Sequence, residues 1–288
     1  IFVTSDYDTA ELRSLAHACL DLVGRSTLAE RYNADPDFDP HTLLASDLMR
    51  ISYEEALKLK VAGDKTLKHR RQTSKAANFG FPGGLGAKKF VTYAHDAGIE
   101  MTEREAYALR GAWFARWPEM RSYFDAINAL CASDGLSVLD DLAADAPKRG
   151  WKTPLILQYR SERVRGDVRY TAACNGFFQG PVADGGKLAC FLVARECYAE
   201  PESPLYGCRP VLFLHDEILM EAPEERAHEA AVRLGEVMVA ALQRFLPDVP
   251  VTASPAIMRR WYKGAEAVYG PDGRLVPWEP KAEERKAA

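Results

Sequence analysis

The chain opens on a strand pattern, "IFVTSDY" at residues 1–7, and returns to strand signals only after Trp151, with helical periodicity filling most of the interval. A chain ordered in this way reads as α+β, a sheet with packed helices and a helical subdomain inserted into it. The first strand leads into a helix over "TAELRSLAHACLDLVG", where Leu12, Leu15, Ala16, Cys19 and Leu22 recur at helical spacing and Gly24 stops the run. From Ser26 to near Pro147 the pattern is mainly helical. Pro36 and Pro40 sit in a polar loop, Thr102 caps a helix, and Pro118 splits "AWFARWPEMRSYF". Strand signals resume in "PLILQYR" and "RVRGDVRYTA", and a helix "VADGGKLACFLVARECY" follows Pro181. "RPVLFLHDEILMEAP", two apolar runs either side of a polar tip, reads as a β-hairpin. A helix from about Pro223 to Phe245 and a strand near "VTASPAIM" follow, and the last residues, rich in charge, Gly and Pro, read as a tail.

With 288 residues, 47% hydrophobic and 27% charged, the chain is long enough for a sizeable core and two subdomains. Its net charge of −4 argues against a general nucleic-acid coating role, yet it leaves room for a local basic site. Lys58, Lys60, Lys65, Lys68, Arg70, Arg71 and Lys75 supply one, with Asp64 the single acid between Lys58 and Lys75. Six cysteines are scattered without a C-x-x-C pair, so they read as reduced and cytoplasmic, neither a zinc site nor a disulfide framework. No apolar run approaches membrane-spanning length, and no signal peptide is visible, so no membrane partner is expected. The first residue is Ile, inside what reads as a buried strand, and the expectation is a piece of something longer.

Two patterns carry chemistry. Arg71, Lys75 and Phe79 are each four apart and share one side of a helix. Such a row can hold a polyphosphate: Arg71 forks onto terminal oxygens, Lys75 acts as a point charge, and Phe79 offers a flat surface to a base or sugar. The bland alternative is a solvated basic face with Phe79 in the core. The second pattern is acidic: Asp6 ends the first strand, and Asp216 with Glu217 sits at the hairpin tip. Each alone is an ordinary turn residue. If the two strands are neighbours, the carboxylates project from one sheet edge, where they can bind two Mg²⁺ ions, or Mn²⁺, at roughly 3.5–4 Å separation for in-line phosphoryl displacement.

These residues fall into motifs that resemble the A-family (DNA polymerase I-like) DNA polymerases. "SDYDTAELR" resembles motif A, D-Y-S-Q-I-E-L-R; "RQTSKAANFG" resembles motif B, R-x3-K-x3-F-G; and "LHDE" is similar to motif C, V-H-D-E. "NGFFQGPVAD" is similar to the N-x3-Q-G-x-A-A-D stretch between B and C. The motifs occur in family order. The resemblance implies an antiparallel palm sheet with inserted fingers: palm at 1–24, fingers at 25–148, palm again at 149–265 and a tail at 266–288. It implies template-directed DNA synthesis, with primer-template DNA and dNTPs as partners and a cytoplasmic setting, the host's for a phage-like enzyme.

Residue by residue, the resemblance makes Asp6 and Asp216 the metal-binding aspartates, the carbonyl of Tyr7 a further metal ligand, and Glu217 a nearby, less essential acid. Lys75 would serve catalysis and, with Arg71, hold the α- and γ-phosphate regions. His41, in "DPHTLLA", resembles the histidine of D-I-H-x3-A that reaches the β-phosphate. Glu11 matches the steric gate that excludes ribonucleotides, and Phe79 would stack on the nucleotide. Gly83, Asn175, Gln179 and His215 match residues that meet the primer-template, where minor-groove contacts check pair shape without reading sequence.

Three departures stand out. Thr9 replaces a Gln of motif A, and Thr171 stands where an Arg precedes the Asn by four, leaving Arg169 as a substitute. Gly83, after Pro82, stands where the family carries Tyr. Proline inside a helix costs ~3 kcal/mol, so the fingers helix is expected to end near Gly80 or Phe81. The templating base then lacks its stacking partner unless Phe81 replaces it. Neither a thumb, nor the T-G-R-L-S-S segment before motif A, nor exonuclease motifs are found, so an N-terminal segment or subunit carrying the thumb is expected, with or without an exonuclease. A two-metal nuclease and a non-catalytic DNA-binding subunit are the alternatives. The Arg71–Lys75–Phe79 row disfavours the first and the intact Asp6 and Asp216 the second.

Overall fold

In the computed structural model, which describes residues 1–132, 155–158 and 160–280, strand β1 (Phe2–Tyr7) is covered on both faces. Val3, Thr4, Ser5 and Tyr7 are all buried, as a central strand requires. It pairs antiparallel with β5 (Glu217–Glu221) on one side and with β6 (Ala253–Met258) on the other. The sheet runs β4-β5-β1-β6-β8-β7, with β4 (Arg209–Leu214), β8 (Leu275–Trp278) and β7 (Val268–Tyr269) completing it. Every pairing is antiparallel except β6 with β8.

This sheet belongs to a unit made of Ile1–Ala10 and Pro181–Ala288. Helix α10 (Ala227–Gln243) presents Ala227, Ala230, Ala231, Leu234, Met238, Ala241 and Leu242 as a buried stripe at helical spacing. These side chains join Val3, Ile218, Met220 and Ile257 of the sheet in one core. The later turns of α9 (Tyr170–Ala199) add Ala189, Val193 and Cys197 to it. Tyr7 locks strand to helix by donating its hydroxyl to the Met238 carbonyl at 2.6 Å.

The stretch from residue 266, expected as a tail, carries β7 and β8 and returns Leu275 to the core. Its glycines and Pro271 form the turn between two short strands, Gly270 to Gly273, and the Trp278 ring stacks on Tyr262 with centroids 5.1 Å apart. Strands this short leave too little periodicity to read.

The second unit is Glu11–Gly180. Among the described residues its helices include α1 (Ala10–Val23), α2 (Thr27–Ala34), α3 (Pro40–Met49), α4 (Tyr53–Val61), α5 (Lys65–Gly80), α6 (Ala87–Asp96), α7 (Glu103–Arg116), α8 (Glu119–Ala132) and the first turns of α9, with a small hairpin of β2 (Ile156–Gln158) and β3 (Arg163–Arg165). Ser26, Asp39, Ser52 and Asp64 cap four of the helices with their side chains, and Thr102 with Glu105 forms a full capping box. The chain thus divides after Ala10 and after Gly180, whereas the sequence reading put borders at 24/25 and 148/149; the second of those lies outside the described residues.

Two local expectations meet different outcomes. Helix α5 ends at Gly80 with Phe81 as its C-cap, where Pro82 forces it to stop. Helix α9, by contrast, begins at Tyr170 and runs through Pro181, so Tyr170–Ala172 are helical rather than part of a strand. Its glycines are there for close packing: a Cβ at Gly176 would lie 2.6 Å from the Ile156 side chain, and one at Gly180 1.5 Å from that of Gln158. Tertiary contact with β2 overrides the low helix propensity of glycine.

Phe81 is buried, its ring 4.3 Å from Phe90 and 5.5 Å from Trp113 between centroids. Phe81→Ala is therefore expected to cost about 3–5 kcal/mol of stability. Urea denaturation followed by tryptophan fluorescence measures this, and a loss below about 1 kcal/mol would contradict a core role.

Candidate functional site

The acidic side chains sit where β1 ends and the β4–β5 hairpin turns. Leu214 pairs with Glu217, so His215 and Asp216 form a two-residue turn, and His215 takes a φ of +58°. A positive φ at the first turn position suits the twist of a tight hairpin but is uncommon for a residue with a side chain. The register sets Asp6 opposite Glu217, and the Tyr7 amide donates to the Asp216 carbonyl at 3.4 Å. The structure thus brings Asp6, Asp216 and Glu217 to one end of the sheet. Tyr7 spends its hydroxyl on Met238, so a role at this edge falls to its backbone.

The three carboxylates are not equivalent. Glu217 is buried, and its Oε1 accepts from Thr4 Oγ1 at 2.5 Å and from Trp261 Nε1 at 3.3 Å. Asp6 is half-buried, and its Oδ1 has no hydrogen-bond partner. Burial, then the charge of Asp216, pushes the Asp6 carboxyl up to about 7. Lys263 opposes this, its Nζ standing 3.3 Å from Glu217, 3.6 Å from Asp6 and 4.0 Å from Asp216. Burial works against the lysine's charge, but the Asp6, Glu217 and Asp216 carboxylates outweigh it and raise its pKa.

A divalent cation fits this edge. The Asp6 carboxylate keeps one oxygen without a hydrogen-bond partner, and an ammonium already stands among the three acids. Among the described residues no three His, Cys, Asp or Glu side chains form a metal cage. Asp6 and Asp216 with backbone carbonyl, water and substrate oxygens is the sparse ligand set that Mg²⁺ prefers.

The cationic row lies in the other unit. On α5, Lys75 is exposed and Arg71 and Phe79 are half-buried, while Leu67, Ser74, Ala77 and Asn78 turn inward. Arg71 is oriented: its Nε donates to Asp39 Oδ2 at 3.1 Å and to Thr42 Oγ1 at 3.2 Å. The same Asp39 oxygen takes Lys60 Nζ at 2.8 Å, and Oδ1 caps α3 through the amides of His41 and Thr42, each at 3.0 Å. Burial pushes the Asp39 carboxyl up, but Lys60 and Arg71 overrule it and hold it well below the usual range. With Nε engaged, the terminal nitrogens of Arg71 remain for a forked anion contact. His41 is buried, its ring 5.5 Å from that of Phe79. Burial, aided by the charges of Arg71, Lys75 and Lys60 and opposed by Asp39, lowers its pKa to about 4, so it is neutral near pH 7.

Glu11 accepts from Gln179 Nε2 at 3.2 Å, and Asn175 donates to the Thr171 carbonyl at 2.9 Å. Gly83 and Asn175 meet so closely that a Cβ at 83 would lie 2.8 Å from Asn175 Oδ1. Phe81, the ring that could have replaced the missing one, is committed to the core and offers no stacking surface. Lys263, Asp39 and Asn78 were not singled out by sequence. Asp39 before Pro40 is an N-cap signal that could have been found; Lys263 is 46 residues from Glu217 in sequence and carries no local signal.

The model of DNA polymerase family A matches residues 1–263. Similar curated proteins include DNA polymerase I of Aquifex aeolicus, 27% identical over 91% of this chain and 39% of that protein. DNA polymerase I of Mycobacterium tuberculosis is 30% identical over 90% of this chain and 25% of that protein. The chain therefore spans about two fifths or less of the length of these relatives. A solved structure, the POL domain of Pol1 from M. smegmatis in complex with DNA primer-template and dNTP, shares the fold at a TM-score of 0.56 and 24% identity, over 88% of this chain and 39% of that one.

Lys263→Met removes the ammonium and leaves Asp6, Asp216 and Glu217 to repel one another. A lower melting temperature in EDTA is expected, with a larger rise on adding Mg²⁺ than the parent shows. Differential scanning fluorimetry with and without Mg²⁺ decides, and equal Mg²⁺ shifts in both proteins would mean that ammonium and metal do not share the site.

Proposed function

The chain belongs to DNA polymerase family A, and from that premise we propose that it carries the nucleotidyl-transfer chemistry of template-directed DNA synthesis. In this reaction the primer 3′-oxygen bonds to the α-phosphorus of a dNTP, the bond to the β-phosphate oxygen breaks, and pyrophosphate leaves. The observation that carries the reading is Asp6, with its buried unpartnered oxygen, beside Asp216 at the end of β1. Asp6, Asp216 and the Tyr7 carbonyl would hold two Mg²⁺ ions. When bound, such ions lower the pKa of the attacking hydroxyl and neutralise charge on the transferring phosphoryl group.

The chain's own side chains do the rest. Arg71, fixed through its Nε by Asp39, grips the terminal phosphate with its remaining nitrogens. Lys75, exposed on the same helix side, neutralises charge that grows on the α-phosphate region towards the leaving pyrophosphate. His41 adds a neutral donor to the β-phosphate, and Phe79 stacks on the nucleotide. Glu11, oriented by Gln179, closes the space a 2′-hydroxyl would need. Asn175, Gln179, His215 and the Gly83 backbone meet the primer-template. Glu217, tied to Thr4 and Trp261, steadies the acidic edge. The thumb and any exonuclease of such an enzyme come from a further segment or subunit, a reading supported by the fraction of its relatives that this chain spans.

Asp6→Ala and Asp216→Ala should each abolish primer extension by the polymerase containing this chain, while primer-template affinity stays within about twofold, because a lost metal ligand removes transition-state stabilisation and few ground-state contacts. Extension assays paired with fluorescence anisotropy test this; more than a few per cent residual activity in either variant would sink the assignment. Substrate choice gives an independent check. Glu11→Ala should raise ribonucleotide incorporation relative to dNTP, and an unchanged ratio in competition assays would reject its role at the sugar.

A further inference from the structure

The strongest unassigned feature is the buried polar cluster behind the cationic row. Asn78 lies on the inward side of α5, almost wholly inaccessible, between the start of α3 and the end of α7. Its Oδ1 accepts from two indoles, Trp113 Nε1 at 3.1 Å and Trp117 Nε1 at 3.3 Å. Its Nδ2 lies 3.3 Å from the Pro40 carbonyl and 3.1 Å from His41 Nδ1.

The chemistry of these partners leaves one arrangement. An indole nitrogen can only donate, and both tryptophans are buried away from water, so the oxygen of the amide must face them. The Pro40 carbonyl can only accept, so the amide NH₂ must face it and His41 together. His41 Nδ1 then confronts a donor and must offer its lone pair. A neutral imidazole with Nδ1 bare carries its proton on Nε2.

We propose that Asn78 is a positioning residue: clamped by Trp113 and Trp117, it sets the tautomer of His41 so that Nε2–H is the ring's remaining donor for a phosphate oxygen of the incoming nucleotide. This rests on the reading of α5 and His41 as the triphosphate-binding face. The opposite tautomer would present a lone pair to a phosphate oxygen and lose the contact. Among the described residues Nε2 has no other hydrogen-bond partner, which leaves it available to the substrate. The arrangement supplies a donor that stays uncharged, beside two cations that already provide charge.

The chain labelled with ¹⁵N-histidine, observed near pH 7 by long-range ¹H–¹⁵N correlation, reports the tautomer of His41 directly. The parent should show Nδ1 unprotonated and Nε2 protonated; the reverse would overturn the proposal without any variant being made. Asn78→Asp keeps oxygens for both indoles but replaces the donor facing His41 with an acceptor, and should move the proton onto Nδ1. An unmoved Nδ1 resonance would overturn the claim that Asn78 controls the ring. In the polymerase containing this chain, Asn78→Asp should raise the dNTP KM by about tenfold with a smaller change in kcat, the loss expected for a hydrogen bond to a charged group. In a His41→Ala background that effect should vanish. A flipped tautomer with an unchanged KM would instead reject His41 as a phosphate contact. An effect that persists without His41 would show that Asn78 acts by another route.

Discussion

Asp6, Asp216 and Glu217 crowd three carboxyl groups at one end of a sheet, and the Lys263 ammonium meets them at 3.3–4.0 Å. Much of the surrounding structure is arranged to hold these groups against their repulsion. Strand β1 sits centrally, hydrogen-bonded on both sides, so Asp6 cannot retreat. A two-residue turn with His215 at positive φ fixes Asp216, and Thr4 and Trp261 occupy one oxygen of Glu217. The cost is visible in the Asp6 carboxyl, which burial and Asp216 drive up to about 7. A cation stronger than an ammonium would relieve that repulsion, which supports the proposed metal site.

The cationic face follows a different logic. Its charges are exposed or half-exposed and would be mobile on an isolated helix, so orientation comes from beneath. Asp39 gathers the α3 cap, Lys60 and Arg71 on one carboxylate, and Lys60 and Arg71 hold that group well below the usual carboxylate range. Asn78 does the corresponding work for His41 through hydrogen bonds alone. The groups proposed to meet the nucleotide are thus held from beneath by buried neighbours, Asp39 and Asn78.

How much of this the sequence discloses depends on the range of the interaction. The Arg71, Lys75 and Phe79 row is a helical repeat and survives into the structure on one side of α5; the stop at Gly80 follows from Pro82 alone. β1, the hairpin and the capping box at Thr102 are likewise local patterns. What sequence missed is non-local. The start of α9 at Tyr170 is hidden because Gly176 and Gly180 look like breakers until β2 is seen against them. Lys263 belongs to the acidic edge only through folding, and β8 joins the sheet through a parallel pairing with β6 that no periodicity announces. Phe81 looked like a free ring beside a glycine pair and is a core residue because Phe90 and Trp113 enclose it.

The most direct test of the acidic edge as a metal site is crystallographic. Crystals of the chain equilibrated with Mn²⁺ and a dNTP, measured at a wavelength where manganese scatters anomalously, should show anomalous peaks bonded to the carboxylates of Asp6 and Asp216, with the Lys263 ammonium displaced from between them. Saturating Mn²⁺ that gives no peak on either aspartate, or peaks only elsewhere on the chain, would contradict the account.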